Sequence, residues 1–166
     1  MQGQYAAVSR IEILAPMSGR VVQLGEVPDP VFAERMLGDG LAIEPDEGFA
    51  VAPVSGVLVV FHSAGHAFAV EEATSGIGIL VHVGLDTVKL SGHGFERLAE
   101  VGAIVTAGQS VVRFDLAVIA EANLSALSPI ILPQLDPSFA VEMTTQTRVR
   151  AGQDVILTVE TPQRPG

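Results

Sequence analysis

Glycine and proline interrupt this chain about every eight to twelve residues, and short runs rich in valine, isoleucine and alanine lie between the breaks. Such punctuation leaves little room for long helices and favours many short strands. The expected fold class is all-β, an antiparallel β-sandwich or barrel-sandwich hybrid with a few short helical turns. Three such turns are predicted. Val31 to Leu37 sets Phe32 and Met36 four apart before Gly38, and Phe95 to Glu100 precedes Gly102. The third starts at Asp115 as N-cap and runs through Leu116 to Ala122.

Two internal echoes suggest quasi-symmetric halves. Ala15-Pro16-Met17-Ser18-Gly19 is repeated as Ala52-Pro53-Val54-Ser55-Gly56, and Val105-Thr106-Ala107-Gly108-Gln109 as Val149-Arg150-Ala151-Gly152-Gln153. Two copies are too few for a solenoid. A single domain over residues 1–160 is expected, with 161–166 as tail or linker. The 166 residues suffice for one well-packed core.

Composition excludes several classes. A net charge of −10 repels phosphate backbones and argues against nucleic acid. No apolar run reaches the roughly 18 residues of a spanning helix. Met1 to Tyr5 lacks the basic and apolar segments of a secretion signal. The absence of cysteine rules out disulfides and thiol chemistry and fits the cytoplasm. Membrane contact is expected only through a partner.

The most chemically suggestive stretch runs from Gly65 to Gly84. Read as a β-hairpin centred on Thr74, it sets His66 directly opposite His82, with Cβ atoms roughly 4.5–5.5 Å apart. Alternation then assigns Phe68 and Val70 to the histidine face, and Ala67, Ala69, Ile79, Val81 and Val83 to the core. Gly84 would allow close approach of backbone or a phosphoryl group. Asp86 and Thr87 supply a carboxylate and a hydroxyl beyond the strand.

These residues, with Val27-Pro28-Asp29, Val31-Phe32-Ala33-Glu34, Gly38-Asp39-Gly40, Gly65-His66-Ala67, Leu80 to Val88, Gly92 to Phe95 and Phe114-Asp115-Leu116, carry a family resemblance. Over residues 11–160 the chain resembles the glucose-type IIA domain of the bacterial phosphoenolpyruvate-dependent sugar phosphotransferase system. The resemblance implies a phosphocarrier. His82 would accept a phosphoryl group from HPr and pass it to a IIB domain, and His66 would position that group. It implies partner contacts through Asp29, Asp86, Phe32, Met36, Leu37 and Phe68, and regulated transporters or kinases as further partners. No cofactor is implied beyond the covalent phosphohistidine. No metal is required, although His66 and His82 are candidate zinc ligands at a partner interface. The family usually has one residue fewer between the histidines, and favours Thr where Ala64 stands here.

Three rivals remain. A zinc hydrolase could use His62, His66 and His82, but no carboxylate is placed as general base. Otherwise His62 reads as a solvent-exposed histidine. A biotin or lipoate carrier would need a lysine at a hairpin tip, and the one lysine is Lys89, in Thr87-Val88-Lys89-Leu90. A regulatory relative that binds partners without turnover is the third. Neither the sugar nor the oligomeric state is legible.

Overall fold

A computed structural model describes residues 8–162. Met1 to Tyr5 and residues 163–166 of the expected tail lie outside the described residues. The strands, in chain order, are β1 (Val8–Leu14), β2 (Gly19–Gln23), β3 (Asp39–Pro45), β4 (Phe49–Val51), β5 (Gly56–Phe61), β6 (Ala67–Glu72) and β7 (Gly78–His82). They continue as β8 (Phe95–Arg97), β9 (Ile104–Val105), β10 (Ser110–Phe114), β11 (Ser128–Leu132), β12 (Ala140–Met143), β13 (Arg148–Val149) and β14 (Val155–Pro162). Two short helices, α1 (Pro30–Ala33) and α2 (Leu116–Glu121), join them, with single 3-10 turns at Leu24–Glu26 and Thr87–Leu90. The all-β expectation holds.

The strands form an eight-stranded sheet in the order β13-β2-β3-β11-β7-β6-β5-β9 and two three-stranded sheets, β1-β14-β12 and β4-β10-β8. All the pairings are antiparallel. The two echoes occupy equivalent places at opposite ends of the large sheet. Gly19 of β2 faces Val149 of β13, and Gly56 of β5 faces Val105 of β9. The serines of the two turns do the same work: Ser18 Oγ accepts the Ala151 N–H and Ser55 Oγ the Ala107 N–H, both at 2.9 Å.

The main core lies between the sheets and includes Ile13, Met17, Ile43, Leu58, Phe68, Ile79, Val81, Ile130, Ile156 and Val159. A second cluster lies on the other face of the large sheet. There Phe32 of α1 and Leu24 of the first 3-10 turn pack on Val22, Ala42, Leu85, Leu127 and Ile131. Covered from both sides, β11 is buried at every position, as its continuous apolar reading Pro129 to Leu132 requires. The second cluster is the floor on which the histidines sit.

Of the three predicted helical turns, α2 forms as expected, while the first is helical only over Pro30–Ala33, with Met36 and Leu37 beyond its end. Asp29 and Asp115 cap α1 and α2, each accepting the N–H two residues on, at 3.0 and 2.9 Å. Phe95 to Glu100 is not helical: Phe95–Arg97 is β8, paired with β10, and Phe95 stacks on Phe114 at 6.2 Å. One isolated turn has too few internal bonds to hold a helix when strand pairing competes. The tail boundary also moves. Thr161 and Pro162 belong to β14 and face Ser9 and Val8.

Candidate functional site

The hairpin β6–β7 forms, but its register is one residue from the expected one. Ala67, not His66, faces His82, and Phe68 faces Val81. A one-residue slip exchanges the two faces of a strand. Phe68 and Val70 therefore point into the main core with Ile79 and Val81, while Ala67, Leu80 and His82 take the site face. Phe68, expected on a docking rim, is 0% exposed. Glu72 organises the turn from Ala73 to Gly76 that joins the two strands. One carboxylate oxygen, Oε1, accepts from the N–H and hydroxyl of both Thr74 and Ser75 at 2.7–3.1 Å. These bonds hold the Glu72 carboxyl below its usual range, against the opposing effect of burial.

The two histidines meet despite the slip because His66 is not part of the strand. It stands one position before β6, in the loop from β5. Gly65, at φ 92°, turns the chain there. A loop residue is free of the pleat's alternation, so its ring can reach the face that Phe68 has left. The His66 carbonyl accepts the Val83 N–H at 2.7 Å, which ties this loop to the end of β7. The two imidazole centroids are 5.2 Å apart with the planes at 72°.

His82 ends β7, where the chain turns at Gly84 (φ 75°). Its Nδ1 lies 2.7 Å from the Gly84 carbonyl oxygen. A carbonyl can only accept, so Nδ1 carries the proton and Nε2 keeps its lone pair. The same peptide is anchored at its other end, the Leu85 N–H donating to the Ser125 carbonyl at 2.9 Å. The Gly84 N–H donates to Ser128 Oγ at 3.1 Å, Ser128 donates to the Ala126 carbonyl, and Thr87 Oγ1 donates to the Val83 carbonyl. No side chain fits at residue 84: a Cβ would meet Thr87 Cγ2 at 2.5 Å and the Ser125 carbonyl oxygen at 2.9 Å.

Phe32 packs on the His82 ring at 5.3 Å and is only 6% exposed. It is thus a wall of the site and not the outer rim expected of it. Met36 (69% exposed) and Leu37 are on the surface as expected, and Val31 and Val88 join them as exposed apolar groups. Asp29 is half-buried at the α1 N-cap, and Asp86 is exposed at the start of the second 3-10 turn.

Burial pushes the His82 pKa down, partly offset by the Gly84 bond and by the carboxylates of Asp29 and Asp86. The His66 pKa is lowered to about 4, first by burial, then by His82 and His62. Both rings are thus biased toward the neutral form. His66 is 4% exposed, and its Nδ1 has no hydrogen-bond partner among the described residues.

His62, expected to be a solvent-exposed residue, is exposed but also packs against His66, with ring centroids 4.3 Å apart. The three imidazoles meet through their rings. Among the described residues no group of three or more His, Cys, Asp or Glu is arranged to hold a metal ion. His82 Nδ1 and His62 Nδ1 are already engaged by backbone, the latter accepting the Ala64 N–H at 3.1 Å. Lys89 lies in a 3-10 turn and not at a hairpin tip, so it does not suit a carrier of biotin or lipoate. No helix among the described residues is long and apolar enough to cross a membrane.

Sequence reasoning did not find Ser125, Ser128 or the ring contacts of His62 and Phe32. A buried serine opening the apolar run Pro129 to Leu132 is a weak signal for Ser128. Nothing local marks the Ser125 carbonyl.

Comparison with known proteins gives a consistent result. Residues 11–138 match the family described as phosphoenolpyruvate-dependent sugar phosphotransferase system, EIIA 1. A glucose-specific EIIA component of Bacillus cereus is 42% identical over 147 residues, which are 89% of this chain and 88% of the relative. An N-acetylglucosamine-specific EIICBA component of Escherichia coli is 40% identical over 89% of this chain but only 22% of its own length. Among solved structures, glucose permease IIA from Mycoplasma capricolum superposes with a TM-score of 0.84 at 41% identity, covering 90% of this chain and 96% of that one.

Proposed function

Since the chain belongs to the EIIA 1 family of the phosphoenolpyruvate-dependent sugar phosphotransferase system, we propose that it is a cytoplasmic phosphocarrier with His82 Nε2 as its acceptor. The donor is the phosphohistidine of HPr and the onward acceptor a IIB domain. The observation that carries this reading is the His82 Nδ1–Gly84 carbonyl bond at 2.7 Å, which leaves Nε2 unprotonated.

The step is in-line. The Nε2 lone pair attacks phosphorus, the P–N bond to the HPr histidine breaks, and the departing imidazole recovers that electron pair. No proton need move. Positive charge that develops on the His82 ring is met by the Gly84 carbonyl and by the Asp29 and Asp86 carboxylates, which favour a charged His82. Phosphoryl transfer through a loose transition state needs mainly positioning and charge stabilisation. His66, neutral in this setting, supplies a ring N–H donor to the phosphoryl oxygens. The chemistry calls for no metal or cofactor. Met36, Leu37, Val31 and Val88 provide an apolar surface, and Asp29 and Asp86 the charges, for a partner with a basic and apolar face.

The test is intact mass after incubation with phosphoenolpyruvate, enzyme I and HPr. One acid-labile phosphoryl group is expected on the wild type and on His66→Gln, and none on His82→Gln. His66→Gln is expected to pass the group to IIB poorly. A folded wild-type protein that gains nothing beside active HPr would overturn the reading and favour a partner-binding regulator.

A further inference from the structure

His62 is a group at the site to which the phosphocarrier reading gives no role. It is the first residue after β5 and opens the loop that carries His66. The loop is fastened at His62 by three bonds. The His62 N–H donates to the Ala67 carbonyl, and its carbonyl accepts the Gly65 N–H, both at 2.8 Å. Its Nδ1 accepts the Ala64 N–H at 3.1 Å. The imidazole is therefore fixed relative to the backbone, and its neutral form carries the proton on Nε2.

His66 is held differently. It is buried, yet its Nδ1 has no partner among the described residues. No hydrogen bond at that nitrogen sets its tautomer or the plane of its ring. Two imidazoles flank it, His62 at 4.3 Å and His82 at 5.2 Å between centroids. His82 is oriented by Gly84 for its own role. His62, closer and pinned by Ala64, is the neighbour available to fix His66.

We infer that His62 is a positioning residue: its ring, held by the Ala64 N–H, is the wall that sets the plane of the His66 imidazole beside His82. The consequence for transfer rests on the phosphocarrier reading, but the ring geometry does not. Misplacing a positioned group by about 1 Å can cost on the order of a hundredfold in rate. Loss of the wall should therefore be visible in the kinetics without any change in the acceptor.

Two substitutions separate the ring from the bond. His62→Phe keeps a ring and loses the Nδ1 acceptor. His62→Asn loses the ring but keeps an acceptor for the N–H two residues on, as in an Asx turn. Ring-nitrogen NMR on isotope-labelled histidine, recorded without phosphate, reports the His66 tautomer and environment. His62→Asn is expected to shift and broaden the His66 ring signals as the ring loses its wall, His62→Phe to leave them near wild type, and His82 to be unmoved in both. Transfer from phospho-HPr through the protein to IIB should fall at least about tenfold in His62→Asn and less in His62→Phe. Identical His66 signals in all three proteins would overturn the inference. So would a His66 change confined to His62→Phe, which would mean that the turn bond alone matters. If the wild type takes no phosphoryl group, the proposed function fails, while the ring signals still decide the role of His62.

Discussion

His66 and His82 are chemically the same side chain given different work by their surroundings. His82 has one nitrogen committed to Gly84 and the other left as a lone pair, with two carboxylates near enough to favour its charged form. His66 has burial and two other imidazoles against its charged form. That difference has a measurable effect on stability. The folded pKa of His66, about 4, lies below the ordinary 6.5, so between these values the unfolded chain binds a proton that the folded chain does not. Stability is fully present above pH 6.5 and is lost as pH falls toward 4, by about 3 kcal/mol from this group. Denaturant midpoints measured across that window should show a shallower pH slope in His66→Gln than in the wild type; equal slopes would contradict the assignment. Gly84→Ala is a second test at this scale. Its Cβ would strike Thr87 and the Ser125 carbonyl, displacing the carbonyl that orients His82. Loss of phosphorylation together with lower stability is expected, by intact mass and thermal melt.

At the scale of elements, the site depends on a strand and a loop that follow different rules. β6 obeys alternation, and its slip by one residue commits Phe68 to the core. The loop from His62 to His66 does not, and can deliver its ring to the face that the strand does not present. Phe68→Ala should accordingly behave as a core truncation, costing about 3–5 kcal/mol in equilibrium unfolding. A stability change near zero with weakened partner binding would instead restore Phe68 to a docking surface. The turn between the two strands is held by Glu72, whose bonds are all local. Glu72→Ala should destabilise the hairpin by about 1–3 kcal/mol, since it removes a charged acceptor from several donors. The His82 ring signals should not move, because Gly84 and Ser125 hold that end of β7. A shift in them would show that turn and site are coupled.

Over the whole molecule, charge does little to hold the fold. The five ion pairs among the described residues engage largely exposed side chains, and such pairs contribute roughly 0–1 kcal/mol each. Against them stands the self-repulsion of a net charge of −10. Added salt screens both. The thermal midpoint should therefore stay level or rise with sodium chloride, and a clear fall would show that the ion pairs hold the fold. The fold is held instead by two apolar clusters on opposite faces of the eight-stranded sheet. The same arrangement buries β11 and brings Ser128 beneath Gly84.

Local pattern was enough to determine the fold class, the cap at Asp115, the paired echoes and the identity of the two histidines, because each is written in neighbouring residues or in a short period. Strand register, the burial of Phe32 and Phe68, and the setting of His66 and His82 were decided only by tertiary structure. Register is set by which face finds a core, and Val81 and Ile79 needed Phe68 and Val70 opposite them. The His82 tautomer depends on the Gly84 carbonyl, and Gly84 is held by Ser125 and Ser128, some 40 residues away in the chain. A contact at that separation has no periodicity to reveal it; it exists only once the sheet has closed.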